Sequence, residues 1–409
     1  MQKIIVEKPY QFVPPYRSTF WSSVFQFLNI PAWQHRRVDG VVGYEIRHLD
    51  RLQASVKAGH GVLLTPNHPR TADPIALGYL TIETPCHVYA MASWHLFHQD
   101  WLTSWAIHMM GGFSVNREGV DRQAIAVAID LLAEAKRPLI IFPEGATSRI
   151  NDRLQALLDG VAFIARSAAK KRARQSPPAK VVVHPVGLKY HFHGDIYAVA
   201  DEVLSDIETR LTWQPQRHRP ILARLGNVAS ALLSLKEIEH LGAPRGGSLG
   251  RRMQGLMDHL LSPVETEWLG AAQSGAVVPR VRNLRVKILP DMVNGRVDAA
   301  ERARRWRQLA DIYLAQQLSC YPPDYLARPT VDRVLEIIEK FEEDMFDKAR
   351  RHGDLKVVLQ IGEAIEVTPE RQRGAAVDPL MVAIEGQLTQ MIEELGRESV
   401  PFEDRPAAP

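Results

Sequence analysis

The sequence predicts an α/β fold, a mainly parallel, mixed sheet flanked by helices, joined to a mostly helical stretch. Three observations carry this. Short apolar runs such as Gly61–Thr65 and Val181–Val183 have the length of buried strands. Helical patterns separate them, and such alternation through residue 200 builds parallel sheets. From 201 to 355 helical patterns dominate, before a strand and a helix return. An apolar content of 45% and a charged content of 24% belong to a globular chain of 409 residues.

Each element has its own signal. In residues 18–30, Phe20, Trp21, Val24, Phe25 and Leu28 follow helical spacing. Residues 1–44 thus read as an amphipathic segment suited to an interface or to a core. Gly61–Thr65 forms a first strand and His87–Ala90 a second. A Trp- and Leu-rich helix over 94–110 stops at Gly111-Gly112, and Phe113–Val115 is a short strand. Residues 121–136 form a helix with Ile125, Ile129 and Leu132 on one face. The strand Leu139–Phe142 precedes a helix near 153–173 and the strand Val181–Val183. Beyond 201 only Asn283–Leu289 reads as a strand, and Thr330 caps a helix carrying Val334, Leu335, Ile338 and Phe341. Leu355–Ile361 is a strand, 378–395 a helix, and the polar, Pro-rich tail 397–409 is expected to be disordered. No internal repeat is apparent.

The bulk numbers exclude several classes. A formal charge of +3 is too small to imply a nucleic-acid partner. It is unevenly spread: Lys170–Arg174 and Arg302–Arg307 hold basic clusters suited to an anionic membrane face or a phosphorylated substrate. Two cysteines, Cys86 and Cys320, fit a reducing compartment. No secretory signal is visible at the start, and no run reaches the roughly 18 apolar residues of a spanning helix. The expectation is a cytoplasmic protein in peripheral or monotopic contact with a membrane.

The chemistry concentrates in Asn67-His68-Pro69-Arg70-Thr71-Ala72-Asp73-Pro74. A histidine that takes a proton from a hydroxyl needs a carboxylate to fix its tautomer and stabilise its charge. Five positions do not share a helix face, but Pro69 and Pro74 disfavour helical backbone at His68 and Asp73, so a bracketed turn can aim both into one cleft. The spacing alone is weak. With fifteen histidines, roughly one or two such pairs arise by chance, and His95–Asp100 is a second. Three further segments follow strands: Gly112 through Arg117, Phe142-Pro143-Glu144-Gly145-Ala146-Thr147-Ser148-Arg149, and His184-Pro185. Arg117 can grip a phosphate, and Gly145 allows a tight turn with close substrate approach.

In this order and spacing, the four blocks resemble the glycerolipid acyltransferase family, which includes glycerol-3-phosphate and lysophosphatidic acid acyltransferases. The resemblance implies an O-acyltransferase of phospholipid synthesis or remodelling. His68 would be the general base and Asp73 its orienting partner. Arg117 would bind the acceptor phosphate, and Glu144, Gly145, Thr147, Ser148 and Arg149 would shape the acceptor site. The co-substrates would be an acyl thioester, on CoA or acyl carrier protein, and a phosphorylated glycerol or lysophospholipid, with no metal or other cofactor. Two departures stand out: Arg70 occupies a position that is often small or amide-bearing in the family, and Ala146 displaces the usual Thr-Arg so that the arginine falls at Arg149. The resemblance covers about 45–200 and returns in 356–396 as a closing strand and helix. Residues 201–355 would then be a helical insertion in one catalytic domain. The alternatives are a non-catalytic lipid-binding protein of the same fold, or a metal-dependent hydrolase using His184, His191, His193 and Asp195.

Overall fold

A computed structural model describes residues 6–84, 86–175, 179–322, 324–370 and 377–405. In chain order its elements are α1 (Phe20–Phe27), α2 (Ile30–Val38), β1 (Val41–Arg47), α3 (Leu49–Lys57), β2 (Gly61–Pro66), α4 (Asp73–Glu83) and β3 (Tyr89–Ser93). Next come α5 (Trp101–Met109), β4 (Gly112–Val115), α6 (Arg122–Glu134), β5 (Leu139–Ile140), α7 (Gly160–Arg172) and β6 (Val181–Phe192). Six helices follow: α8 (Ile196–Arg210), α9 (Ile221–Leu241), α10 (Leu249–Leu269), α11 (Val277–Val293), α12 (Ala299–Ser319) and α13 (Val331–Phe346). The chain closes with β7 (Leu355–Ile361), β8 (Ile365–Glu366) and α14 (Pro379–Gly396). It divides into two compact units. Of the described residues, one comprises those of 6–191 and 354–398, the other those of 192–353 and 399–405.

The first unit is built on one eight-stranded sheet in the order β1-β7-β6-β2-β5-β3-β4, with β8 paired to β6. β2 runs parallel to β5 and β6, β3 to β4 and β5, and β1 to β7, while β8 is antiparallel to β6. The sheet is therefore mixed and mostly parallel. Every residue of β2 is buried, as a strand covered on both faces requires. Leu63, Phe113, Leu131, Leu132, Ala165 and Ile384 are fully buried in the core between strands and helices. β6 pairs with β2 only as far as Val186 and then continues to Phe192. That overhang carries Leu188 and Tyr190 alongside the residues that follow β2.

Several local readings change. β1, a half-exposed edge strand, carried no sequence signal. The helix read over 94–110 is a 3₁₀ turn at Trp94–His98 followed by α5, whose start is capped by Asp100 accepting from Thr103 N–H at 2.8 Å. Asn283–Leu289, read as a strand, lies inside α11. There Val281, Leu284 and Ile288 bury one helical face, and tertiary packing overrides local preference. Asp73 is not outside a helix but opens α4. Pro74 fits that first turn because it needs no N–H partner there.

The second unit consists of helices α8–α13 and the segment 399–405. That segment, expected to be disordered, is ordered as far as 405. Pro401 bridges Thr330, Phe402 is 6% exposed and stacks on Tyr197, and Ser399 Oγ donates to Asp332 at 2.8 Å. Residues 406–409 lie outside the described residues. A repeat is also present, contrary to the sequence reading. Glu208, Glu237 and Glu265 recur at steps of 29 and 28 residues (208, 237, 265), each buried near the end of its helix. Each accepts a backbone N–H eight residues on, from Gln216, Arg245 and Gln273 at 2.7, 2.9 and 2.9 Å. Each also takes a two-pronged guanidinium from the next helix, Arg224, Arg252 and Arg280 respectively. The carboxylate thus staples one helix, its connecting loop and the following helix.

Candidate active site

The site collects at the edge where parallel strands end, the usual place for chemistry in such sheets. β2 is followed by Asn67, whose side-chain amide prolongs the ladder to β6. Its Nδ2 donates to the Leu188 carbonyl at 3.0 Å and its Oδ1 accepts the Leu188 N–H at 2.6 Å. The chain then turns, and the Arg70 carbonyl accepts the Asp73 N–H at 3.2 Å. Both side chains of the predicted pair meet: His68 Nδ1 lies 2.7 Å from Asp73 Oδ2. Asp73 is fully buried at the N-terminus of α4, where the helix dipole favours an anion. Its Oδ2 also accepts the Arg70 N–H at 3.0 Å, and its Oδ1 accepts the Tyr190 hydroxyl at 2.7 Å.

His68 is otherwise held from the loop after β5. Its ring stacks on Phe142 with centroids 4.0 Å apart, and its side chain keeps 13% exposure. Its N–H donates to Glu144 Oε1 at 2.6 Å, and its carbonyl accepts the Ser148 N–H at 2.8 Å. With the Nδ1 proton facing the carboxylate, Nε2 carries the lone pair, and the Thr147 hydroxyl lies 3.3 Å from it. A hydroxyl thus already stands where a proton would be taken.

The remaining candidates divide. Glu144 is 1% exposed and turns inward: its other oxygen accepts the Gln155 N–H at 2.8 Å, tying the 151–159 loop to the histidine. Burial pushes its carboxyl up to about 7. Ser148, equally buried, also serves the His68 backbone. Both side chains therefore brace the backbone of His68. Gly145 has φ +69°, and a Cβ there would come within 2.5 Å of Leu158 Cδ1, so the turn requires glycine. Arg149 follows in the same loop with φ +64°, a conformation uncommon outside glycine. Arg117 sits half-buried on the loop after β4, which is pinned by Asn116 N–H donating to Asp121 and Glu118 N–H donating to Asn116. Three strand spacings separate β4 from β2, about 14 Å at ~4.8 Å each.

Tyr190 was missed because it lies 117 positions from its partner, Asp73. The sequence reading also ended that strand at Val183, with His184-Pro185 after it, whereas β6 runs on through both to Phe192. Arg70 is placed with its guanidinium 5.5 Å over the Tyr190 ring, a cation–π distance. Asp39, just after α2, is half-buried near the charges of Arg70 and Asp73. Burial raises its carboxyl to about 6, against the pull of Arg70.

The second His-Asp spacing has a different use. Asp100 caps α5, and His95 Nδ1 meets Ser93 Oγ at 2.8 Å. Of the residues read as possible metal ligands, His184 is buried between Ser55 Oγ and the Gly362 carbonyl, each at 2.9 Å, and burial lowers its basicity. Asp195 caps α8. Among the described residues no group of three or more His, Cys, Asp or Glu is arranged to hold a metal ion.

No curated protein sequence matches the chain. Residues 45–189 match the family profile described as Acyltransferase, a span running from β1 to the overhang of β6 and holding His68, Asp73, Arg117, Glu144, Gly145, Thr147, Ser148 and Arg149, while Asp39 and Tyr190 lie outside it. The chain therefore carries a domain of the glycerolipid-type acyltransferase family, and the protein is an acyltransferase.

Proposed function

We propose that the enzyme moves a fatty acyl group from an acyl thioester, on CoA or acyl carrier protein, to a hydroxyl of a glycerol-phosphate-type acceptor in phospholipid synthesis or remodelling. The observation that carries this reading is the His68 Nδ1–Asp73 Oδ2 contact with Nε2 turned toward a hydroxyl. In this reading Nε2 removes the acceptor's hydroxyl proton as its oxygen attacks the thioester carbonyl. The tetrahedral adduct collapses with cleavage of the C–S bond, and the imidazolium returns the proton to the departing thiolate. Asp73 stabilises the imidazolium formed midway. General base catalysis of this kind supplies roughly 10²–10⁴-fold, and positioning of the two substrates supplies much of the rest. Arg117 holds the acceptor phosphate, with Thr147 and Arg149 facing the acceptor.

The acceptor is delivered by a membrane surface in this reading, from the cytoplasmic side. No helix of the described residues is long and apolar enough to cross a membrane. Exposed aromatic groups nevertheless gather on neighbouring helices: Phe27 is 88% exposed, Trp33 61% and Trp101 79%. α1 packs on α5 through Trp21 and Trp105, with ring centroids 5.0 Å apart, and the exposed Arg37 guanidinium lies 6.0 Å from the Trp33 ring centroid. Aromatic side chains flanked by arginines suit an anionic interface.

The test follows thiol release with a thioester donor and a panel of acceptors, with products identified by mass spectrometry. His68→Ala abolishes transfer with fold and donor binding intact, and His95→Ala stays within a few-fold of the parent. Equal losses in both variants would remove His68 as the base.

A further inference from the structure

Asp73 is buried, and each of its oxygens is engaged. Oδ2 serves His68 and the Arg70 N–H, and Oδ1 receives the Tyr190 hydroxyl at 2.7 Å. Tyr190 is itself buried and keeps its proton, because burial and the adjacent Asp73 charge hold the phenol well above its usual range. Toward a carboxylate it acts only as a donor.

The chain invests several contacts in holding this tyrosine. Its N–H donates to Asn151 Oδ1 at 3.1 Å, and its carbonyl accepts from Asn151 Nδ2 at 3.4 Å. Two residues earlier, Leu188 is gripped by Asn67 through both backbone groups. Lys189, between them, forms a buried ion pair with Asp152. The Arg70 guanidinium over the Tyr190 ring makes the phenol a stronger donor.

We infer that Tyr190 is a positioning residue for acyl transfer, which fixes the Asp73 carboxylate and thereby sets how firmly His68 holds a proton; the inference rests on His68 acting as the base. The hydroxyl does two things. It prevents the carboxylate from rotating away from Nδ1, and it draws negative charge toward Oδ1, away from the imidazole. A donor to Oδ1 stabilises the anion and so weakens its pull on a proton at His68 Nδ1. The titratable groups around the pair are Arg70 on the same loop, Asp39 after α2, Glu144 after β5 and Tyr190 on β6.

The full-length enzyme is tested with histidine labelled for NMR, the His68 resonance being assigned by its absence in His68→Gln. Tyr190→Phe keeps the ring and removes the donor. It moves the His68 titration upward by about 0.5–1 pH unit, and the acid limb of kcat/KM moves with it. The KM for the acceptor changes less than about twofold. A fluorotyrosine placed at 190 alone, with a more acidic phenol and a stronger donor, moves both downward; it carries the test if Tyr190→Phe fails to fold. In an Asp73→Asn background, Tyr190→Phe gives no further displacement. An unchanged His68 titration in both folded variants, or the same loss of kcat from Tyr190→Phe with and without Asp73, overturns the inference. Activity surviving His68→Ala would instead remove the base assignment, while the NMR titration still judges the link from Tyr190 to Asp73.

Discussion

Replacing Glu144 by glutamine tests how the site is braced. Burial raises this carboxyl from 4.5 to about 7, so the folded protein holds its proton more tightly than the unfolded chain does. The stabilisation from that proton is complete below pH 4.5 and is lost as pH rises through about 7. The values lie 7 − 4.5 = 2.5 pH units apart; at ~1.4 kcal/mol per unit the swing is about 3.5 kcal/mol. Glu144→Gln does not titrate. It keeps one acceptor and turns an NH2 toward one of the two backbone N–H groups, of His68 or Gln155, at a pH-independent loss of about 1–3 kcal/mol. The variant is therefore less stable than the parent near pH 5 and regains most of that swing relative to it by pH 7.5. Hydrogen exchange in a denaturant series, read over peptides covering 61–70 and 141–158, measures this locally. A difference between variant and parent that stays flat from pH 5 to pH 7.5 would refute the reasoning.

Other expectations follow from the same geometry. Under the proposed function, Arg117→Ala raises the KM for a phosphorylated acceptor about 10–100-fold; an unchanged KM means that the phosphate is held elsewhere. Phe27→Asp combined with Trp33→Asp weakens sedimentation with anionic vesicles by at least ~10-fold, and equal binding would remove those helices from the membrane contact. Arg252→Ala strands the buried Glu237 carboxylate and destabilises the helical unit by about 3–5 kcal/mol, whereas Glu237→Met with Arg252→Leu recovers much of it. Thermal melts of the three proteins check this ordering.

What the sequence disclosed depended on how local the signal was. β2 and its His68–Asp73 turn were legible because an apolar run, two prolines and a five-residue spacing all lie within fifteen positions. β1 was not: Tyr44, Glu45 and Arg47 give an edge strand no apolar run. In α11 the alternation of Leu284, Val286 and Ile288 fits a strand as well as Val281, Leu284 and Ile288 fit a helix, and only the surrounding helices decide. The repeat in α8–α11 preserves a Glu and an Arg per step with little else, too sparse to see before the ion pairs are placed. At the site, residue types were read more reliably than the direction in which side chains point. Glu144 and Ser148 follow the strand as expected, yet both turn back to hold the His68 backbone.

The pairing of β1 with β7 has a consequence for synthesis on the ribosome. Val41 pairs with Leu355, 314 positions later (355 − 41). At about 5–20 residues per second the early strand waits roughly 15–60 s for its neighbour. The helical staples close within about sixteen residues each, so those hairpins can form while the sheet is still open. Until β7 emerges, the bare edges of β1 and β6 are the surfaces a nascent chain must keep from other chains. Slowing translation after residue 192, or truncating before 355, should turn this enzyme from a folding chain into an aggregating one.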